Sequence, residues 1–351
     1  MHWILLPLGV GLIAGVMWDA LVTTLSVATH AGPVSGRVAH QLWKLGRHRS
    51  NTGFLESLGV ALTLVVLGMW LLGLWAGWSL IFNASPTAVL DAVNQTPASG
   101  WDRIYYAGAT MFTLGPGDFR PNGVGWQLAS VVALLNGLGL ASLGITYLLP
   151  VTAAATERRQ LAATISALGE RPDDMLLMAW DGSSFSLLPH HLIALGPEMD
   201  LLSQRHLAYP VLHFFHSTGV TNAAAPMIAR LDEMVTIARL GLREPGVIPR
   251  SAIDPLHASL THFLDTLRSA YINPADQPPP PPPLDRLRDA GIACVDNATF
   301  HQRLATLGER RRLLLALVNN EGWSWDDVWP PSSAGEQEPS REDPQLDRKE
   351  H

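Results

Sequence analysis

An all-α membrane protein, with three membrane-crossing helices and an all-helical soluble domain behind them, is predicted by three observations. Hydrophobic residues make up 47% of the 351 residues and charged residues only 16%, too apolar for an ordinary soluble protein of this length. The apolar residues concentrate in three long stretches that end at Pro150. Beyond it they recur at helical spacing in proline-punctuated blocks, with no run of alternation to mark strands. The net charge of −7 averages over two unlike halves and does not mark the chain as nucleic-acid binding. The single cysteine, Cys294, excludes an internal disulfide and reads as a small core residue.

The first stretch, Trp3 to Ala28, exceeds the roughly 20 residues a bilayer span needs. No basic segment follows Met1 and no small-x-small cleavage site comes after, so a true span is expected rather than a signal peptide. Asp19 lies inside it and is costly against lipid, so it must face protein or an interface. A structural contact is the bland reading and a proton or ion site the sharp one. From Gly32 to Ser50, Arg37, Lys44, Arg47 and Arg49 alternate with Val38, Leu42, Trp43 and Leu45, the pattern of a helix on the membrane surface. The second span is Leu58 to Phe82, with Trp70, Trp75 and Trp78 as interfacial anchors. Asn83 to Gly100 forms a loop, and Val124 to Leu149 is the third span, closed by Pro150. Arg158 and Arg159 follow. Basic residues favour the cytoplasmic side, which predicts a multi-pass cell-membrane protein with its N-terminus outside and its C-terminal domain cytoplasmic.

Between the second and third spans lie Trp101-Asp102-Arg103-Ile104-Tyr105-Tyr106 and Thr113-Leu114-Gly115-Pro116-Gly117-Asp118. Ser99-x-x-Asp102 has the spacing of a capping box and opens a helix too short to cross a bilayer, which must therefore re-enter. Gly115 and Gly117 can supply left-handed backbone angles cheaply, although Gly-Pro-Gly-Asp is also good surface-turn chemistry. Tyr105 to Pro121 resembles the pore helix and selectivity filter of potassium channels. That family's Thr-x-Gly-Tyr-Gly-Asp, with a proline three residues on, is matched at every fixed position except the tyrosine, which is Pro116.

The resemblance implies a homotetramer in the lipid bilayer, since one pore loop per chain requires four chains per pore. It implies K⁺ as the permeant ion, with no cofactor, dehydrated by carbonyl oxygens. The hydroxyl and carbonyl of Thr113 would form the innermost ion site, the carbonyls of Leu114, Gly115 and Pro116 the others, and Asp118 the mouth-lining acid. The carboxyl end of the short helix would favour cations. Gly137, at mid-span in the third helix, is a candidate gating hinge; close helix packing explains it equally well.

The domains expected are 1–55 (first span and basic loop), 56–155 (pore domain), 156–330 (helical cytoplasmic domain) and 331–351 (a polar, disordered tail). In the soluble half, helices are expected over Leu187 to Ala208, Ala223 to Leu242, Ile253 to Ile272 and Thr299 to Val318. The segment His206 to His216 resembles one in bacterial channel-like proteins that join a single pore loop to a helical cytoplasmic domain, as does Asp19 to Leu25. His206, His213 and His216 could bind a metal, but with no cysteine or clear acidic ligand beside them no metal site is assigned. The polyproline run Pro278 to Pro283 reads as a semi-rigid spacer or an exposed docking segment, the spacer being preferred. No nucleophile–base pair or phosphate loop suggests an enzyme. A passive cation channel is the leading reading; a poorly selective or non-conducting signalling or scaffold protein is the alternative.

Overall fold

A computed structural model describes residues 4–25, 32–47, 52–209, 211–212, 215–217, 219–244, 246–270 and 272–331. The N-terminal half comprises α1 (Leu5–Leu25), α2 (Pro33–Arg47), α3 (Thr52–Asn83), β1 (Val89–Asp91), α4 (Gly100–Met111), β2 (Phe119–Pro121) and α5 (Val124–Ser166). Three of these helices, over Leu5–Leu25, Gly59–Asn83 and Val124–Ser166, are long and apolar enough to cross a membrane. The chain is an all-α membrane protein.

Small residues bring α1 onto α3. A Cβ at Gly9 would lie 2.6 Å from the Gly77 carbonyl oxygen, and one at Gly77 would lie 2.6 Å from Ile13 Cγ1. Glycines one turn apart, Gly73 and Gly77, thus open the groove that α1 fills, as small residues do between helices in lipid. Asp19 then ties the bundle together from a position only 2% exposed. Its carboxylate accepts the Val34 N–H at 2.8 Å and the Ser35 N–H at 3.3 Å, the Ser35 hydroxyl, and the Trp70 Nε1–H at 2.8 Å. These donors belong to α2 and α3, so one acid on α1 caps the first turn of α2 and anchors a tryptophan of α3. Pro33 at the start of α2 has no N–H to satisfy, which suits that position. The structural reading of Asp19 holds.

The tryptophans of α3 correct the expectation of interfacial anchors. Trp70 and Trp78 are buried, and the Trp75 Nε1–H donates to the Ile104 carbonyl at 3.0 Å. Trp70 and Trp75 clamp the bundle from inside, because an indole N–H in an apolar interior gains more from a protein carbonyl or carboxylate than from lipid, whereas Trp78 is held by its ring, packed on Phe82 at 5.9 Å. Pro150 does not close the third span either. Helix α5 runs through it for 43 residues, with Tyr147, Val151 and Ala154 packed on Leu212. Packing on both sides of Pro150 outweighs the one hydrogen bond that it removes. The boundary expected between 155 and 156 therefore lies inside a continuous helix.

The C-terminal domain contains α6 (Pro172–Ala179), α7 (Leu188–Ala208), α8 (Ala224–Thr236), α9 (Arg250–Ala270), α10 (Asp285–Asp289), α11 (Asn297–Ala305) and α12 (Gly308–Asn320). The four expected blocks all become helix, with a π-helical turn, Ile237–Gly241, extending α8 and a break at 306–307 dividing the last. Every residue of α8 is buried, charged ones included. Asp232 pairs with Arg310, and Glu233 with Arg311 at 2.8 and 3.0 Å. Arg230 donates to the Gly169 and Asp327 carbonyls at 3.1 and 2.8 Å, and burial lowers its pKa to about 10. Burial likewise pushes the Glu233 carboxyl above its ordinary value, with Arg311 opposing.

The polyproline run is neither spacer nor exposed docking segment. Pro279 and Pro282 are buried while their neighbours are exposed, the three-residue period of a polyproline II helix lying on a surface. Arg311 fastens it by donating to the Pro279 and Pro280 carbonyls at 2.9 and 2.7 Å. The tail expected to be disordered, Ser332 to His351, lies outside the described residues.

Removing the Asp19 carboxylate leaves buried donors on two other helices unanswered. Asp19→Ala should cost about 1–3 kcal/mol for each donor left unpaired, read as a lowered melting temperature in detergent, whereas Asp19→Asn should recover part of the loss.

Candidate pore loop

The loop between α3 and α5 begins with a helix whose start is explicit in the sequence. The Asp102 N–H donates to Ser99 Oγ at 3.2 Å and the Ser99 N–H to Asp102 Oδ2 at 2.9 Å, a closed capping box. Three contacts then fix α4 between the flanking helices. Tyr106 is edge-on to Phe82 with ring centroids 5.1 Å apart. Its hydroxyl lies 2.7 Å from Ser130 Oγ, which itself donates to the Trp126 carbonyl, so Tyr106 is the donor. The face of α4 at Gly108 accepts the Trp75 ring, since a Cβ there would lie 2.9 Å from Trp75 Nε1.

The third contact involves Gly137. A Cβ at this position would sit 2.9 Å from the Met111 carbonyl carbon and closer still to its oxygen. The last residue of α4 thus rests directly on the backbone of α5, and any side chain at 137 would push it away. The packing role of Gly137 is plain in this geometry. Gly139, two residues on, has open space where a Cβ would go.

Thr113 to Asp118 follow as one connected turn. The Leu114 N–H reaches back to the Ala109 carbonyl at 2.8 Å, and Thr113 and Gly115 take left-handed φ values of 57° and 71°. Gly117 does not, contrary to expectation; Thr113 carries the second left-handed position. A β-branched residue at positive φ is strained, and such strain persists only where the surroundings impose it. Here the reversal follows from Pro116. The Gly117 N–H donates to the Gly115 carbonyl at 2.8 Å, closing a three-residue turn centred on Pro116. Proline's φ of about −65° is close to the roughly −75° such a turn needs. The Phe119 N–H takes the Pro116 carbonyl at 3.1 Å. Among the described residues no donor reaches the Thr113 or Leu114 carbonyls.

The far end of the turn is held by a two-stranded antiparallel pair, on either side of α4, too short to be seen in the sequence. Strands β1 and β2 are antiparallel, pairing Val89 with Pro121 and Asp91 with Phe119, and the Ala92 N–H donates to the Asp118 carbonyl at 2.9 Å. Tyr105 packs edge-on against Phe119 at 6.2 Å. Asp118 is exposed at the rim, and Pro116 lines a shallow groove of about 570 Å³ that reaches Tyr106, Thr110 and Ser130. Within that groove the buried Thr110 hydroxyl has no hydrogen-bond partner among the described residues.

Of the histidines singled out by sequence, His206 and His216 have different surroundings. His206 Nδ1 lies 3.1 Å from the Leu202 carbonyl and its ring is edge-on to Phe263. His216 lines a cavity of about 270 Å³ beside Arg158 and Glu321, and His213 is outside the described residues. No group of three or more potential metal ligands occurs among the described residues. Arg158 makes a connection between α5 and the C-terminal domain that sequence reasoning missed. This residue of α5 pairs with Glu321, whose carboxyl burial pushes up, and donates to the Leu212 and Phe215 carbonyls at 2.9 and 2.8 Å.

Residues 64–153, from within α3 to just beyond Pro150, match the family described as "Ion channel". The chain is also 34% identical over 319 residues to "Uncharacterized membrane protein YdjJ" of Bacillus subtilis (strain 168), covering 90% of this chain and 94% of that protein. The chain belongs to the same family as that membrane protein, and its residues 64–153 form an ion-channel pore domain. No solved structure matches it. The ion-channel region takes in α4, the turn Thr113 to Asp118 and the Gly137 contact together.

The seat of α4 is directly testable. Gly137→Ala should overpack the contact, costing about 1–3 kcal/mol and loosening the loop, whereas Gly139→Ala should be neutral. Thermal melts of the two variants in detergent distinguish them; equal stability would remove the packing role assigned to Gly137.

Proposed function

We propose that four copies of the chain assemble a passive cation channel that conducts K⁺ through the turn Thr113 to Asp118. The observation that carries this reading is a capped, short α4 leading into a Thr-x-Gly-x-Gly-Asp turn between two membrane-length helices, within a region that matches an ion-channel family. Thr113 and Leu114 offer unclaimed carbonyls at the carboxyl end of α4, where the helix dipole favours a cation. Asp118 would add negative charge at the mouth. The proposed orientation places the turn outside and the C-terminal domain in the cytoplasm, with no catalytic step assigned to either part.

A second reading, a weakly selective or non-conducting pore, is favoured by one observation. The Gly115 and Pro116 carbonyls are engaged by the Gly117 and Phe119 N–H groups and so are not available to an ion in this arrangement. Selectivity depends on the number and field of the carbonyls that replace water. Two fewer carbonyls support a weaker preference for K⁺ over Na⁺ than the tyrosine-containing pattern implies.

Purified protein reconstituted in liposomes decides between them. K⁺ flux with a tetrameric mass supports the channel; a protein that carries no K⁺ or Na⁺ supports the scaffold alternative. In a conducting protein, Pro116→Tyr should release the Gly115 carbonyl from its turn and shift reversal potentials under K⁺/Na⁺ gradients toward K⁺. An unchanged or already strict K⁺ preference would show that the Pro116 turn does not limit selectivity.

Orientation is tested by labelling. Val93 is 85% exposed just after β1 and Met178 is 72% exposed in the C-terminal domain, while the native Cys294 is buried. Val93→Cys should react with an impermeant reagent applied to intact cells and Met178→Cys should not. The opposite pattern would invert the topology.

A further inference from the structure

The C-terminal domain holds a cavity of about 420 Å³ where α8 gives way to its π-helical turn, walled on the other side by the first two turns of α9. Its volume falls in the range of small-molecule sites. Single π-helical turns are rare and recur at functional sites. This one widens the end of α8 and leaves the Leu240 carbonyl to Arg303 Nη1 at 3.1 Å.

The charges around the cavity are of both signs and balance. Arg239 and Asp254 form a loose, half-exposed pair at 3.5 Å across the opening. Arg250 and Glu244 also line it, and among the described residues neither has an ion-pair partner. His257, at the back, is held down to about 4 by burial and by the neighbouring Arg310 and Arg239, so at neutral pH it is an uncharged imidazole able to donate or accept. Arg310 itself is taken up by Asp232 and Thr261. Leu240, Ile253 and Leu307 supply an apolar wall. A lone anion here would meet Asp254 and Glu244, and a lone cation would meet two arginines. A ligand carrying both charges meets neither conflict.

We propose that this cavity binds a small zwitterion of amino-acid size, its carboxylate taken by Arg250 and Arg239 and its ammonium by Glu244 and Asp254. The apolar part of the ligand rests against Leu240, Ile253 and Leu307. The π-helical turn continues α8, and α8 packs along α5, so the occupied cavity lies one helix away from the helix that seats the pore loop.

Calorimetric titration of the full-length protein in detergent with each standard amino acid in turn tests the site without requiring conduction. At least one should bind saturably, and Arg250→Ala and Glu244→Ala should each weaken it by about tenfold or more, the size of one lost charge-assisted hydrogen bond. Both residues are exposed, so the variants should keep their fold, and Arg268→Ala, in an exposed ion pair elsewhere on α9, should bind as the parent does. The proposal is overturned if no amino acid binds, if binding is unchanged in both cavity variants, or if acetate or methylammonium alone binds as tightly as the best amino acid.

Discussion

The pore loop depends on a place where a side chain is missing. Because α5 has nothing beyond its backbone at Gly137, the carbonyl end of α4 can lie directly on it. That contact sets the height at which α4 stops, and the left-handed Thr113 starts the turn from there. From the other side, Trp75 and Tyr106 hold α4 against α3 and α5, while the β1–β2 strand pair ties down the far end of the turn. The conformation of a few exposed residues is therefore set by contacts lying outside them, which is how a strained backbone persists.

Charge is handled by one tactic in both halves of the molecule. Asp19 in the bundle, and Arg158, Arg230, Asp232, Glu233 and Arg311 in the C-terminal domain, are all nearly or fully buried. Each binds elements distant in sequence, so its burial cost is offset only when the whole arrangement is assembled. Asp19 is answered by two helices, and Arg311 by one carboxylate and two proline carbonyls. Such groups specify which surfaces meet more than they add stability, since a single misplaced partner leaves a charge exposed to an apolar interior.

Elements whose signal is local were legible in the sequence. The three spans and the four long helical blocks of the C-terminal domain were read from hydropathy and periodicity, and the capping box at Ser99 and Asp102 from its spacing; the short α6 and α10 and the extension of α5 to Ser166 were not. The location of the candidate turn was legible too, from its residue types and its place between two spans. What stayed hidden depends on partners far away in the chain. A tryptophan in a span does not announce whether it faces lipid or, like Trp70, a buried acid. Pro150 reads as a stop until Leu212 is known to pack beside it, and Pro278 to Pro283 read as a spacer until Arg311 is seen to fasten them. At the turn, the pattern gives the departure at Pro116 but not its effect, because the pairing of Gly117 with Gly115 is a property of the folded path.

The uninterrupted length of α5 has a mechanical meaning. Gly137 and Arg158 lie on one helix, 21 residues apart, about 32 Å at 1.5 Å per residue. One end carries the platform under the turn and the other is gripped by Glu321 and by the chain at Leu212 and Phe215. A continuous helix of that length can act as a lever: tilting it by roughly 10° displaces one end by about 6 Å relative to the other, given that rise. Slight rearrangement around the Arg158 grip would thus be amplified along the helix to the extent that the packing of Tyr147, Val151 and Ala154 keeps it from bending at Pro150.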